Sequence, residues 1–137
     1  MEHITLLALD VGEKRIGVAH ADTSVRVPVP YGTVDVDGME FERLREIVAE
    51  YEPKLMIIGL PRNQQGHITS QTQKVKEFAK HLEQFGIEIT FQDESLTSVL
   101  AEKYLQSHKK TYNKSDIDAY AAAIILGDYL EEHFGSA

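Results

Sequence analysis

Three carboxylate residues stand at places in the sequence where ligand chemistry often occurs. Asp10 closes a short apolar segment, Glu94 follows another, and Asp118 lies in the first turn of a predicted apolar helix. Ligands usually bind at the carboxyl ends of strands, so we expect these acids to converge at one sheet edge. An oxygen-rich set of this kind suits Mg²⁺ or Mn²⁺, and two such ions promote phosphodiester hydrolysis. The pattern therefore predicts Asp10, Glu94 and Asp118 as metal ligands and catalytic residues.

Each acid also has a structural interpretation. Asp10 precedes Val11-Gly12 and would serve as a turn residue that bonds its own backbone. Glu94 would be a solvated acid near a helix N-terminus. Asp118 has the spacing from Ser115 of a capping box. One observation counts against this last alternative. Asp118 shares its helical face with three residues that are expected to be buried, Ala121, Ala122 and Ile125. A carboxylate on that face needs a metal or a partner.

Basic residues near these acids predict contacts with phosphate groups. Lys14 and Arg15 follow Asp10 closely, and a loop after the fourth strand, predicted from Gly59 onward, contains Arg62 and Asn63. We predict Lys14, Arg15, Arg62 and Asn63 as substrate-binding residues. A scattered, solvated set of cations and an ordinary strand-to-helix connection remain open alternatives. The six histidines show no metal-ligand spacing.

The apolar patterns predict nine elements in the order β-β-β-α-β-α-β-α-α. The predicted strands span residues 4–9, 15–20, 25–36, 55–58 and 87–91, and the predicted helices span 44–51, 70–85, 96–106 and 115–133. Ser70 and Gln73 predict a capping box for the second helix. A leading three-strand meander followed by strand–helix units predicts an α/β fold, a mixed five-stranded sheet flanked by helices. The ribonuclease H-like arrangement fits this order best.

Composition limits the class of protein further. The chain has 137 residues, of which 42% are hydrophobic and 26% are charged, as expected for one globular domain over residues 1–137. The absence of cysteine excludes disulfides, a thiol nucleophile and thiolate metal sites. No apolar segment approaches the roughly 18 residues of a membrane span, and the N-terminus lacks the basic region of a secretory signal. We expect a cytoplasmic protein without a membrane partner.

The net charge of −8 at pH 7 lowers the expectation of a general nucleic-acid binder. Such proteins are usually basic, because much of their affinity comes from counterion release by lysine and arginine. An acidic chain binds a polyanion when its cations are grouped and divalent ions mask the carboxylates at the contact.

Four segments in order resemble the YqgF/RuvX family of Holliday junction resolvases and pre-16S rRNA nucleases. They are residues 9–19 (LDVGEKRIGVA), residues 58–63 (IGLPRN) with Gly66, residues 93–98 (DESLTS) and residues 117–126 (IDAYAAAIIL). The resemblance covers nearly the whole chain. It implies a ribonuclease H-like fold and a divalent-metal nuclease acting on structured nucleic acid, with Asp10, Glu94 and Asp118 at the catalytic positions.

Two motifs depart from the family pattern. Ser95 stands where an arginine usually follows the glutamate, and a serine replaces neither the charge nor the fork geometry of arginine. Arg62 stands where an apolar residue is usual, and Gln64-Gln65 where Met-Asp is common. These departures concern substrate preference and rate, and they leave the three acids in place.

The leading hypothesis is therefore a Mg²⁺- or Mn²⁺-dependent endonuclease that acts on structured RNA, most simply at the 5′ end of precursor 16S rRNA. A four-way DNA junction is the alternative substrate, and its resolution requires two active sites and hence a dimer. A second alternative is a non-catalytic nucleic-acid-binding factor, which Ser95 and the charge of −8 motivate. The sequence leaves open whether the protein is a monomer or a homodimer.

Overall fold

Five strands form one mixed sheet with helices on both faces. The computed structural model describes residues 3–61, 69–94, 103, 107 and 113–134. The strands are β1 (Thr5–Val11), β2 (Arg15–Asp22), β3 (Val29–Asp35), β4 (Leu55–Pro61) and β5 (Glu88–Glu94). The helices are α1 (Glu40–Tyr51), α2 (Ser70–Leu82, continued by a 3₁₀ turn, Glu83–Phe85) and α3 (Lys114–Phe134). The predicted helix over residues 96–106 lies outside the described residues.

The strand order is β3-β2-β1-β4-β5. β1, β4 and β5 run parallel, whereas β2 is antiparallel to both β1 and β3. The carboxyl ends of β1, β4 and β5 therefore share one edge of the sheet. The tight β1–β2 hairpin brings the start of β2 to the same edge, because the Gly12 N–H donates to the Arg15 carbonyl at 2.9 Å. This arrangement confirms the predicted mixed five-stranded sheet.

Residues alternate between two cores, one on each side of the sheet. In β1, Leu7 and Leu9 face α1 and α2, whereas Leu6 and Ala8 face α3. The α1–α2 side is completed by Leu44, Ile47, Val75 and Leu82, and the α3 side by Ile125, Leu126 and Leu130. Odd-numbered residues of β2, such as Ala19, face α3. This alternation decides which side chains at the shared edge meet α3.

Helix α3 lies very close to β2 because the facing residues are small. A Cβ atom added to Gly17 would overlap the carbonyl oxygen of Asp118. Further along the contact, Ala19, Ala21 and Ala122 are all buried. A glycine inside a strand often marks such a close approach of another backbone. The contact fixes the start of α3 over the beginning of β2.

The capping box at α2 differs from the predicted one, and the capping box at α3 excludes the capping interpretation of Asp118. At α2, the Thr72 N–H donates to Thr69 Oγ1 and the Thr69 N–H donates to Thr72 Oγ1, instead of the predicted pair of Ser70 and Gln73. At α3, the Asp116 N–H donates to Asn113 Oδ1 and the Asn113 N–H donates to Asp116 Oδ2, at 3.0 and 3.1 Å. A cap is set by which residue leaves the helical conformation, and several polar residues lie close enough in sequence to compete. Asp118 is therefore not the capping acid.

Two strand boundaries also differ from prediction. β3 begins at Val29 rather than at residue 25, since Arg26 has a left-handed φ of 61° and proline at position 28 has no N–H to donate. β4 continues through Gly59, Leu60 and Pro61, the residues predicted as a loop, because they pair in parallel with the end of β5. The Thr72 hydroxyl donates to the Pro61 carbonyl and ties this end of β4 to α2.

We predict that Gly17→Ala lowers the free energy of unfolding by about 3 kcal/mol, because its methyl group has to displace the backbone of α3. Urea unfolding measures this change. Gly127→Ala, within α3, is the matched control, since its Cβ would lie 3.5 Å from Pro28 Cγ, an ordinary contact. Helix propensity predicts that this control gains about 0.5–1 kcal/mol. Equal stability of the Gly17→Ala and wild-type proteins would refute the close-packing account.

Candidate active site

Asp10 lies within β1 and is paired with Gly17 of β2. It is half-buried and belongs to the same alternating face as Leu6 and Ala8, the face covered by α3. Asp10 is therefore a strand residue, since the turn of the hairpin begins only after Val11. Because directly paired residues of antiparallel strands project to the same face, the Asp10 side chain lies beside the point where Gly17 meets Asp118.

Asp118 occupies the second turn of α3 and is half-buried. The backbone carbonyl of Asp118 lies against Gly17, and Gly17 is the residue paired with Asp10. The carboxylate oxygen Oδ2 of Asp118 accepts a hydrogen bond from Arg15 Nε at 2.8 Å. The structure thus brings together two of the three predicted acids, Asp10 and Asp118, on one face of the sheet edge.

Arg15 has a partner that the sequence did not indicate. The sequence predicts a phosphate contact for Arg15, and the structure shows it in an ion pair with Asp118 in which the two side chains are 27% and 26% exposed. Arg15 and Gly17 lie two residues apart on β2, so both face α3. The pair joins residues 103 positions apart in sequence. Only the contact between β2 and α3 creates it.

The third predicted acid lies at the same edge of the sheet. Glu94 is the last residue of β5 and its backbone lies opposite Pro61, two strands away from β1. The Lys14 side chain is exposed in the hairpin turn, and its carbonyl accepts a hydrogen bond from the Val36 N–H at 2.9 Å. The predicted substrate-binding residues Arg62 and Asn63, and the unusual Ser95, lie outside the described residues.

The donor chemistry at this edge consists of carboxylate oxygen. Asp10 and Asp118 supply it, and oxygen ligands are those that Mg²⁺ and Mn²⁺ prefer. Among the side chains that the structure describes, a set that does not include Glu94, no three of histidine, aspartate or glutamate form a metal cluster. The chemistry of these two acids therefore fits a divalent cation of this kind.

Three of the histidines that the structure describes, His20, His81 and His133, lie against aromatic rings. His20 stacks on Tyr51 with ring centres 4.3 Å apart, and burial lowers the pKa of His20 below its usual value. His133 stacks on Tyr129 with ring centres 4.0 Å apart.

The chain belongs to the Holliday junction resolvase family RuvX, whose model matches residues 4–132. A protein of Crocosphaera subtropica named "Putative pre-16S rRNA nuclease" is 41% identical over 141 residues, which cover 99% of each chain. A protein of the same name from Thermoanaerobacter pseudethanolicus is 39% identical over 132 residues, with 92% of this chain and 95% of the relative covered. The family resemblance predicted from the four motifs is confirmed. The predicted nuclease class agrees with the names of the family and of these relatives.

Solved structures confirm the fold. RuvC of T. thermophilus in complex with a Holliday junction substrate superposes with a TM-score of 0.58 at 13% sequence identity, covering 98% of both chains. T. thermophilus RuvC in a second structure gives a TM-score of 0.54 at 11% identity with the same coverage. The predicted ribonuclease H-like class is therefore correct. No helix among the described residues is long and apolar enough to span a membrane.

Two aspartates near the start of α3 are expected to differ in role. We predict that Asp116→Ala lowers the free energy of unfolding by about 1 kcal/mol, because it removes the acid of the Asn113 capping box. We expect this variant to keep nucleic-acid cleavage close to the wild-type rate, measured where the protein is fully folded. A hundredfold loss of cleavage in folded Asp116→Ala would show that the structure assigns the wrong aspartate.

Proposed function

We propose that this protein is a divalent-metal-dependent endonuclease that hydrolyses phosphodiester bonds in structured nucleic acid. The observation that supports it most is the placement of Asp10 and Asp118 on one face, joined through Gly17, at the carboxyl edge of the parallel strands. Carboxylate oxygens on one face of the sheet are the ligands that Mg²⁺ and Mn²⁺ prefer. Membership of the RuvX family supports the same activity.

In this proposal Asp10, Glu94 and Asp118 hold Mg²⁺ or Mn²⁺. Ions bound there would supply an activated water and would stabilise the leaving oxygen of the phosphodiester. The chain's own contribution is positional. β1 fixes Asp10, the end of β5 carries Glu94, and the close packing of α3 on β2 sets the depth of Asp118. Such fixed carboxylates spare the reaction the cost of assembling the site.

The proposed substrate is precursor 16S rRNA, cleaved at its 5′ end in the cytoplasm. The names of the two relatives described above support this choice, since they match this chain over nearly its full length. Lys14, Arg15, Arg62 and Asn63 are proposed to bind flanking phosphates. This local group would attract phosphate although the whole chain carries a net charge of −8, and bound metal ions would mask the acidic site.

The family description favours one other substrate, a four-way DNA junction. Symmetric cutting of a junction requires two active sites, so this function demands a homodimer, whereas RNA processing is open to a monomer. A third possibility is a binding factor without cleavage, which Ser95 and the negative charge favour. Sedimentation on the junction and cleavage with and without metal separate these three functions.

We predict that Asp10→Asn lowers cleavage at least about 100-fold, because an amide binds a divalent cation far more weakly than a carboxylate does. The assay uses end-labelled precursor 16S rRNA fragments and a four-way DNA junction, each with Mn²⁺, Mg²⁺ or EDTA. Asp37→Asn is the matched control, since Asp37 forms an exposed ion pair with Arg43 and is not one of the three predicted metal ligands. We expect this control to cleave at the wild-type rate.

The outcomes of this assay are distinct. Metal-dependent cleavage that Asp10→Asn removes and Asp37→Asn retains supports the nuclease, and the cut substrate identifies the polymer. Cleavage by Asp10→Asn at the wild-type rate in a clean preparation contradicts the proposed site. Tight binding without cleavage, unchanged by EDTA, supports the binding factor instead.

A further inference from the structure

The carboxylate of Asp118 already has a cationic partner, the guanidinium of Arg15. Nε of Arg15 donates to Oδ2 at 2.8 Å, and both side chains are about three-quarters shielded from water. We propose that Arg15 is a positioning residue that neutralises Asp118 until a divalent cation binds there and displaces it. This inference rests on the proposed function, because it takes Asp118 as a metal ligand.

Competition follows from charge at a shared group. The guanidinium and a divalent cation are both positive, and both are drawn to one carboxylate that carries a single negative charge. Partial shielding strengthens their mutual repulsion relative to a fully exposed site. Occupation of Asp118 by a cation therefore weakens the bond to Arg15. By linkage, the bond to Arg15 lowers the affinity of Asp118 for the cation to the same extent.

The displaced guanidinium has a second kind of partner at hand. Arg15 is the first residue of β2, and Lys14 precedes it in the exposed hairpin turn. Among the described residues, Asp118 is the one side chain that Arg15 bonds, and it engages Nε alone. The two terminal nitrogens have the fork geometry that binds phosphate. A phosphate at this turn would draw Arg15 from Asp118, so phosphate and metal would each favour the binding of the other.

A second ion pair of the same type provides the comparison. Arg43 holds Asp37 through both terminal nitrogens, at 2.8 and 2.9 Å, on the exposed surface beside α1. That geometry uses the fork of the guanidinium within the pair. The bond between Arg15 and Asp118 leaves the fork available, so Arg43 serves as a control arginine with no expected link to metal.

The first test measures Mn²⁺ affinity by electron paramagnetic resonance, without any substrate. We expect Arg15→Gln to bind Mn²⁺ about fivefold more tightly than wild type, the size of effect that a partly exposed charge pair gives. Arg15→Lys keeps the positive charge and should bind as wild type does. Arg43→Gln should also match wild type. Arg15→Met is a second variant that lacks the positive charge. Circular dichroism and thermal unfolding verify that each variant is folded.

The results separate this inference from the proposed function. If folded Arg15→Gln and Arg15→Met bind Mn²⁺ no more tightly than the wild-type protein does, the competition is overturned, while the metal site itself stands. No specific Mn²⁺ binding by the wild-type protein overturns the metal site and the inference together. Tighter binding in the neutral variants, with Arg15→Lys unchanged, supports the displacement of a charge.

The second test measures binding of a precursor 16S rRNA fragment in EDTA, where Arg15 stays on Asp118. We expect Asp118→Asn to bind the RNA several-fold more tightly, because the arginine is released to the phosphates. Part of any gain comes from the lost negative charge alone, so the same change is made in an Arg15→Gln background. A gain that is smaller in that background supports the inference. An equal gain in both backgrounds overturns the role of Arg15 in phosphate binding.

Discussion

The close approach of α3 to β2 is the constraint on which the site depends. There is no space for a side chain at position 17, because a Cβ there would overlap the Asp118 carbonyl. Gly17 is also the residue paired with Asp10 in the β1–β2 hairpin. One glycine therefore sets the distance between a strand acid and a helix acid. A larger residue at this position would push the helix outward and carry Asp118 away from Asp10.

The same contact creates the ion pair between Arg15 and Asp118. Alternation along β2 places residue 15 on the face of residue 17, and the packed helix presents the carboxylate to it. Arg15 pairs with the half-buried Asp118 when no metal ion is bound, so the folded protein does not bear an unpaired charge there. In the proposed mechanism, stability and metal affinity are thus opposed at one side chain, as is common at functional sites.

Local patterns in the sequence were sufficient for much of the fold. Continuous apolar runs identified the buried strands β1 and β4, and the Gly12 turn identified the hairpin, because these features depend on neighbouring residues. The capping box at α2 was predicted wrongly, since several polar residues near the helix start compete for the cap. The early end of the predicted β4 had a similar cause, because Gly59 and Pro61 favour a turn unless a neighbouring strand pairs with them.

The sequence pointed to the acids of the candidate site, but it did not indicate the ion pair between Asp118 and Arg15. Asp10 and Asp118 were identified because each stands at the end or start of an apolar element. The ion pair joins residues 103 positions apart, and no local pattern specifies such a contact. Gly17 did carry a signal, since a glycine within a strand often marks a close backbone approach, but which element approaches it is a property of the tertiary fold.

The most direct test of the central claim, that Asp10 and Asp118 together bind a divalent cation, is anomalous diffraction from crystals grown with Mn²⁺. We predict a manganese peak within about 2.0–2.4 Å of a carboxylate oxygen from each of the two residues. A manganese peak at another cluster of acids, or fully ordered Asp10 and Asp118 with no peak between them at saturating Mn²⁺, would contradict it.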